Sequence, residues 1–289
     1  MKKYFLAVLV IIAAIIAGYS GYLRFKKPLV SVVMLTYKRA DIAPKAIDSI
    51  LAQTFKDFEF IILNDGSPDN TDEMIKKYSD SRIRYYKNDK NRGIAYSRNR
   101  AASLARGKYI MIMDDDDESM PDRMQKEVEF LEKHPEIDVV AGQIKDLPRI
   151  PQTHDEIAAG LIQYNNFGNS NIMYRRDFAE KHNIKYDNNL KVCEDWDLWL
   201  KMLFAGAKLF ALNDDILIRY GNSAKHYHST ERDCNMVKEN VGKYFHPENG
   251  QAFYEASACD KLQMIKKAPV VIFDQDYLNR IIAINCPSL

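Results

Sequence analysis

The sequence has no excess of charge of either sign. Its 41 basic and 40 acidic side chains leave a formal net charge of +1, so no global basic field points to nucleic acid as a partner. Cysteine is scarce: Cys193, Cys234, Cys259 and Cys286 form no CxxC pair and no His/Cys cluster. That scatter predicts neither a disulfide framework nor a zinc site, and it fits a reducing compartment. No Asn-x-Ser/Thr sequon occurs, which removes one expected mark of a secretory-pathway protein. GxGxxG is missing after the first strand-like run, which argues against a dinucleotide cofactor, and GxxxxGK[ST] is missing throughout, which removes a P-loop. No D-x-D-x-T follows that run either, so an aspartyl-nucleophile phosphatase fits poorly. There is no internal repeat.

What is present is an ordinary globular composition, 46% hydrophobic and 28% charged over 289 residues, enough for one large domain or one domain with an appendage. The one long apolar run is Tyr4 to Leu23, twenty uncharged residues between Lys2-Lys3 and Arg24, Lys26 and Lys27. Its length matches a membrane-spanning helix. The aliphatic stretch Phe5 to Ala17, with Gly18-Tyr19-Ser20 behind it, also fits a cleavable signal peptide. Read as an anchor, residues 1–27 make a single-pass attachment to the cell membrane. More basic residues follow the span than precede it, Lys38 and Arg39 included, so the positive-inside rule tilts the large domain toward the cytoplasm.

Beyond the anchor, strand-like runs alternate with helical periodicity. Leu29 to Leu35, Phe58 to Leu63, Ile83 to Tyr86 and Tyr109 to Met113 read as strands; Ala43 to Gln53, Thr71 to Tyr78 and Gly93 to Ala105 read as helices. This alternation predicts an α/β fold, a doubly wound, mostly parallel sheet with helices on both faces. Right-handed crossovers then bring the ends of three strands to one edge, and with them three polar clusters, Thr36-Tyr37-Lys38-Arg39, Asn64-Asp65-Gly66-Ser67 and Asp114 to Asp117. Acids crowded at a strand's carboxyl end repel one another unless a cation or donor groups sit among them. Ligands bind at that edge in open α/β sheets. The plainer reading of the four aspartates is an acidic turn feeding the next helix, which Pro121 opens with Ser119 as its cap. Later segments predict a helix Asp122 to His134, a strand Asp138 to Ala141, a short helix around Glu156 to Tyr164, a strand Ser170 to Tyr174, and a helix within Lys191 to Phe204. Strands Lys208 to Leu212 and Ile216 to Tyr220 close the domain.

The ordered set TYKR, FEFIILNDGSPDNT, the segment from Lys90-Asn91 to Arg98-Asn99, GKYIMIMDDDDESMPDRM and CEDWDLWLKM resembles glycosyltransferase family 2, over roughly Pro28 to Tyr220. The resemblance implies a GT-A fold, a nucleoside-diphosphate-sugar donor, a divalent metal and inversion at the anomeric carbon. It divides the chain into the anchor, a catalytic domain over 28–225, and a mixed, mostly helical extension over 226–289.

Carried over residue by residue, the resemblance implies that Tyr37 stacks on the donor base with Thr36 at the pocket rim. Asp65 accepts the imide N–H of a uracil or thymine; it reads equally as an Asx-type turn with Gly66, and the two are compatible. Arg39 either neutralises the diphosphate or is solvated, and Arg98 either reaches phosphate oxygens or is a plain helix-face charge. The family's D-x-D gives Asp114 and Asp116. Asp116 is assigned to Mg²⁺ or Mn²⁺ with Asp114 as a second candidate ligand, and Asp114 or Asp115 to the ribose. His226 or His228 is either a further ligand or a solvated loop residue. Asp195 stands where the family places its general base, beside Glu194, although acids in a helix's first turn also suit its dipole. Trp196 and Trp199 lie three apart, so one is expected on the acceptor sugar and at least one in the core. Asn169 and Asn171 read either as sugar contacts or as turn residues. The acceptor class implied is a glycan or lipid-linked hydroxyl. The rivals are a sugar nucleotidyltransferase, which would want a Gly- and Arg-rich loop where TYKR stands, and a non-catalytic binding protein on the same fold.

Overall fold

The computed structural model describes residues 27–219, 234–245 and 256–267, with isolated positions between 253 and 286. The expected anchor span over residues 4–23, with His226 and His228, lies outside the described residues. Among the described residues no helix is long and apolar enough to cross a membrane.

Eight strands form one sheet: β1 (Val30–Thr36), β2 (Phe58–Asn64), β3 (Ile83–Lys87), β4 (Tyr109–Asp114), β5 (Asp117–Ser119), β6 (Val139–Ile144), β7 (Ile172–Arg175) and β8 (Leu209–Arg219). Their order is β3-β2-β1-β4-β7-β6-β8-β5. The first four are parallel, as the alternation predicts. The sheet stays mostly parallel, with two reversed strands beyond β4: β7 runs antiparallel to both β4 and β6, β6 pairs parallel with β8, and β5 runs antiparallel to β8. The two strands expected within 208–220 are one, β8, whose pairing with β6 shifts register between Ala141 and Ile144.

Side chains alternate across the pleat, so each central strand feeds two cores. Val32, Met34, Phe60, Ile62 and Met111 meet α1 (Ala43–Leu51) and α4 (Arg123–Lys133) on one face. Val33, Ile61, Leu63, Ile110 and Ile112 meet α3 (Ile94–Ser103), α5 (His154–Gln163) and α7 (Glu194–Phe204) on the other. The apolar stripes supply the matching surfaces: Ala43, Ala46, Ile47 and Ile50 on α1, Met124, Val128 and Leu131 on α4, and Leu198, Met202 and Leu203 on α7. Short helices α2 (Thr71–Ile75) and α6 (Arg176–Lys181), with α8 (Asn235–Phe245) and α9 (Ala258–Lys266), complete the set described.

Ser119 is not a helix cap. It belongs to β5, which pairs with Leu217 to Arg219, and the helix begins only at Arg123. The cysteine expectation is also overturned, because Cys193 bridges to Cys234 and Cys259 to Cys286. Spacing carried no signal since the partners stand 41 and 27 residues apart in the chain. Cys193–Cys234 fastens the start of α8 to the start of α7, and Phe204 stacks on Tyr244 at the far ends of the same two helices.

Candidate active site

The register of the parallel strands sets the geometry. Thr36 at the end of β1 lies opposite Asn64 of β2, and Leu35 lies opposite Asp114 of β4. All three polar clusters therefore leave the sheet at one edge. The Asp65 amide donates to the Thr36 carbonyl at 2.9 Å, and the Lys38 amide to Ser67 Oγ at 3.0 Å, which knits the first two turns together. Lys38 takes φ 58° to make that turn.

Asp65 is 2% exposed and holds a loop. Its Oδ1 accepts from Asn88 Nδ2 at 2.6 Å and from the Arg92 amide at 2.9 Å, and its Oδ2 accepts from the Gly93 amide at 3.0 Å. Asp65 therefore makes no local Asx-type turn with Gly66; at that turn it is Asn64 whose Oδ1 accepts the Ser67 amide at 2.8 Å, and Asp65 Oδ2 keeps capacity for a further donor. Gly66 is required here: at φ +69°, a Cβ would lie 2.4 Å from the Lys90 carbonyl carbon. Tyr37 is half-buried at the rim of this turn.

Arg39 faces the acids loosely, Nε 3.9 Å from Asp115 Oδ1 and Nη2 3.8 Å from Asp116 Oδ2. These are ion-pair distances and too long for hydrogen bonds. Asp115 is buried, and its Oδ2 has no hydrogen-bond partner. Burial pushes its carboxyl up to about 7, with Thr36 and Arg39 pulling down and Asp116 and Asp114 pushing further up. A carboxylate with an orphaned oxygen, a half-exposed acid beside it and an adjacent cationic side chain are what a site for a cation and phosphates needs. Among the described residues no group of three or more His, Cys, Asp or Glu is arranged to hold a metal alone. Any cation at this edge would therefore complete its shell from ligand and water.

Asp114 is fixed from three directions. Its Oδ1 accepts from Arg98 Nη2 at 3.0 Å and Asn169 Nδ2 at 2.8 Å, and its amide donates to Ser170 Oγ at 2.9 Å. Arg98, 7% exposed, also bonds Glu194 and lies 5.5 Å from the Tyr186 ring centroid. Its guanidinium is a buried counter-ion in the floor of the crevice, between the β4 edge and the first turn of α7. Burial raises Glu194 to about 7 despite Arg98. Asp195 next to it is half-buried, and burial lifts its carboxyl above the usual aspartate range while Arg98, the Trp196 amide and Asn165 oppose the rise.

The tryptophans differ from expectation. Trp196 is 2% exposed with Nε1 donating to the Leu161 carbonyl at 2.7 Å, and Trp199 is fully buried edge-on to Phe167 and Tyr174. Neither ring has a free face for a sugar, because the apolar face of α7 is turned wholly into the core. Asn88 and Asn165 reach the site without having been singled out in the sequence. The run of asparagines over 165–171 was the only local signal for Asn165.

A mixed α/β sheet with acids and a cationic side chain gathered at the carboxyl edge, and a second acidic pair facing them, is an arrangement of the GT-A type. The model of the family described as Glycosyl transferase family 2 matches residues 31–190, and the chain belongs to that family. It is 34% identical over 209 residues to an uncharacterised glycosyltransferase of Methanocaldococcus jannaschii, covering 67% of this chain and 71% of the relative. It is 29% identical over 227 residues to the UDP-Glc:alpha-D-GlcNAc-diphosphoundecaprenol beta-1,3-glucosyltransferase WfaP of Escherichia coli, covering 73% and 86% of the two chains. The S. aureus TarS 1-349 structure in complex with UDP-GlcNAc superposes with a TM-score of 0.64 at 19% identity, over 89% of this chain and 71% of that one.

Proposed function

We propose that the chain transfers a sugar from a nucleoside-diphosphate sugar, with a UDP-sugar favoured, to a hydroxyl of a glycan or lipid-linked acceptor, with inversion, in the synthesis of a surface polysaccharide or glycoconjugate. The observation that carries this reading is the Arg98 bridge, which bonds both Asp114 at the strand edge and Glu194 beside Asp195. It joins the two acidic motifs, far apart in sequence, across one crevice.

In this reading Tyr37 and Asp65 take the base, with Thr36 at the rim and Asp114 or Asp115 at the ribose. Asp116, with Asp114, would hold Mg²⁺ or Mn²⁺, which when bound offsets charge on the diphosphate. Arg39, free of short hydrogen bonds to the acids, turns its guanidinium to the phosphates. Asp195 accepts the proton of the acceptor hydroxyl as that oxygen attacks the anomeric carbon; the bond from that carbon to the diphosphate breaks, and its electron pair leaves with the nucleoside diphosphate. Glu194, paired to Arg98, keeps the guanidinium in place beneath this step. The anchor over residues 4–23 holds the domain at the membrane, on the cytoplasmic side.

Binding of UDP-, dTDP- and GDP-sugars to residues 28–289, with and without Mn²⁺, tests the donor half. UDP-sugar binding is expected to strengthen with the metal. Asp195→Asn tests the base: UDP release is expected to fall by about 10²–10⁴-fold with UDP-sugar binding retained. Wild-type turnover in that variant would remove Asp195 from the chemistry.

A further inference from the structure

Both carboxylates that face the crevice from opposite sides are held by one segment, residues 164–171 between α5 and β7. Asn169 donates to Asp114, as described, and Asn165 Nδ2 donates to Asp195 Oδ2 at 3.1 Å. The Asn165 amide is oriented by its own turn, since its Oδ1 accepts the Phe167 amide at 3.3 Å. A flipped amide would lose that bond and set a carbonyl against a carboxylate. The turn is pinned by Phe167, 3% exposed and packed 6.2 Å from the Trp199 ring. The other Asp195 oxygen, Oδ1, accepts the Trp196 amide at 2.8 Å within the same helix. Among the described residues, Asn165 is the only side chain that donates a hydrogen bond to Asp195. The charged and titratable groups around Asp195 are Arg98 from α3, Asp114 from β4, Glu194 beside it on α7, and Tyr186 from the chain before α7. These act on it through space.

We infer that Asn165 is a positioning residue, which fixes the rotation of the Asp195 carboxylate and favours its ionised form so that it can receive the acceptor's proton. The inference rests on Asp195 being the base. Burial alone would hold that carboxyl protonated to higher pH, and a donor directed at the charged form opposes this. Two fixed points on one carboxylate, the Trp196 amide on Oδ1 and the Asn165 amide on Oδ2, leave it one orientation. A misplacement of about 1 Å at such a group costs on the order of 10²-fold in rate.

The test uses the full chain and two variants, Asn165→Ala and Asn165→Gln. The rate is UDP release from UDP-glucose or UDP-N-acetylglucosamine, followed against pH. Asp195 itself is titrated by carboxyl ¹³C NMR, its signal identified by its loss in Asp195→Asn. In Asn165→Ala the Asp195 titration and the acid limb of the rate are expected to move together to higher pH. The maximal rate is expected to fall by about 10- to 100-fold, with the KM for the UDP-sugar unchanged. Asn165→Gln, which keeps the donor but displaces it, is expected to fall between Ala and wild type. An Asp195 titration that stays put in folded Asn165→Ala or Asn165→Gln overturns the inference, whatever happens to the rate. If Asp195→Asn turns over like wild type, the base assignment fails; if that variant is inactive and the titration is unmoved by Asn165→Ala, the positioning role alone fails.

Discussion

Asp195 occupies the first turn of a helix, where an acid is favoured by the dipole, yet the tertiary structure buries it among Arg98, Glu194 and Asp114 and raises its carboxyl above the usual range. The pH dependence follows with a definite sign. A protonated carboxyl cannot accept the acceptor's proton, so the rate climbs as pH rises through the Asp195 ionisation. Because burial raises that ionisation, the climb should begin above the ordinary aspartate value of 3.8. A pH–rate profile of UDP-sugar turnover with an acid limb at or below that value would contradict the burial. Asp65, Asp116 and Asp195 were legible as candidates because each follows an apolar run or opens a helical stripe. Asn165 was not, since nothing in a polar loop reveals which carboxylate its amide will meet. Trp196 misled for a related reason: spacing of three puts two rings near one helix face but does not say whether that face is covered.

At the scale of elements, the strand ends were predictable and the forks between strands were not. The β4–β7 ladder stops at Met111 opposite Met173, where β4 continues toward the acids. Arg123, on the first turn of α4, fills that fork. It is fully buried, donates to the Ile112 and Ile172 carbonyls at 3.3 and 3.4 Å, and pairs with Glu127 at 3.1 Å. Burial raises Glu127 to about 7 even with this partner. Removing one member of a buried pair leaves the other and the carbonyls unsatisfied. Arg123→Met is therefore expected to lower the unfolding free energy by about 3–5 kcal/mol, read from urea denaturation. A loss within the range of an ordinary surface substitution, about 0.5 kcal/mol, would show that the pair carries no structural load. Sequence patterning placed Met124, Val128 and Leu131 in the core. It could not place Arg123 there, because burial of an arginine depends on carbonyls supplied by two other strands.

For the whole molecule, the basic residues after the expected anchor and the two disulfides point to opposite compartments. In the proposed anchoring, the charge bias of residues 24–39 favours the cytoplasmic side, whereas paired cysteines belong to oxidising surroundings. On the cytoplasmic side, alkylation of intact cells before lysis is expected to find Cys193, Cys234, Cys259 and Cys286 as thiols, with the bridges closing only after exposure to air. Four cysteines already bridged at the moment of trapping would place the domain on the other face. The sequence by itself determined the α/β class, the four parallel strands and the edge at which TYKR, NDGS and DDDD leave the sheet. Apolar runs and helical stripes are local properties, and right-handed crossovers leave few ways to join them. The tertiary structure alone decided the two reversed strands, β5 and β7, the cysteine pairs, the burial of both tryptophans and the asparagine hold on Asp195. Each of those depends on which distant side chain arrives at a given point, and that follows from how the layers pack.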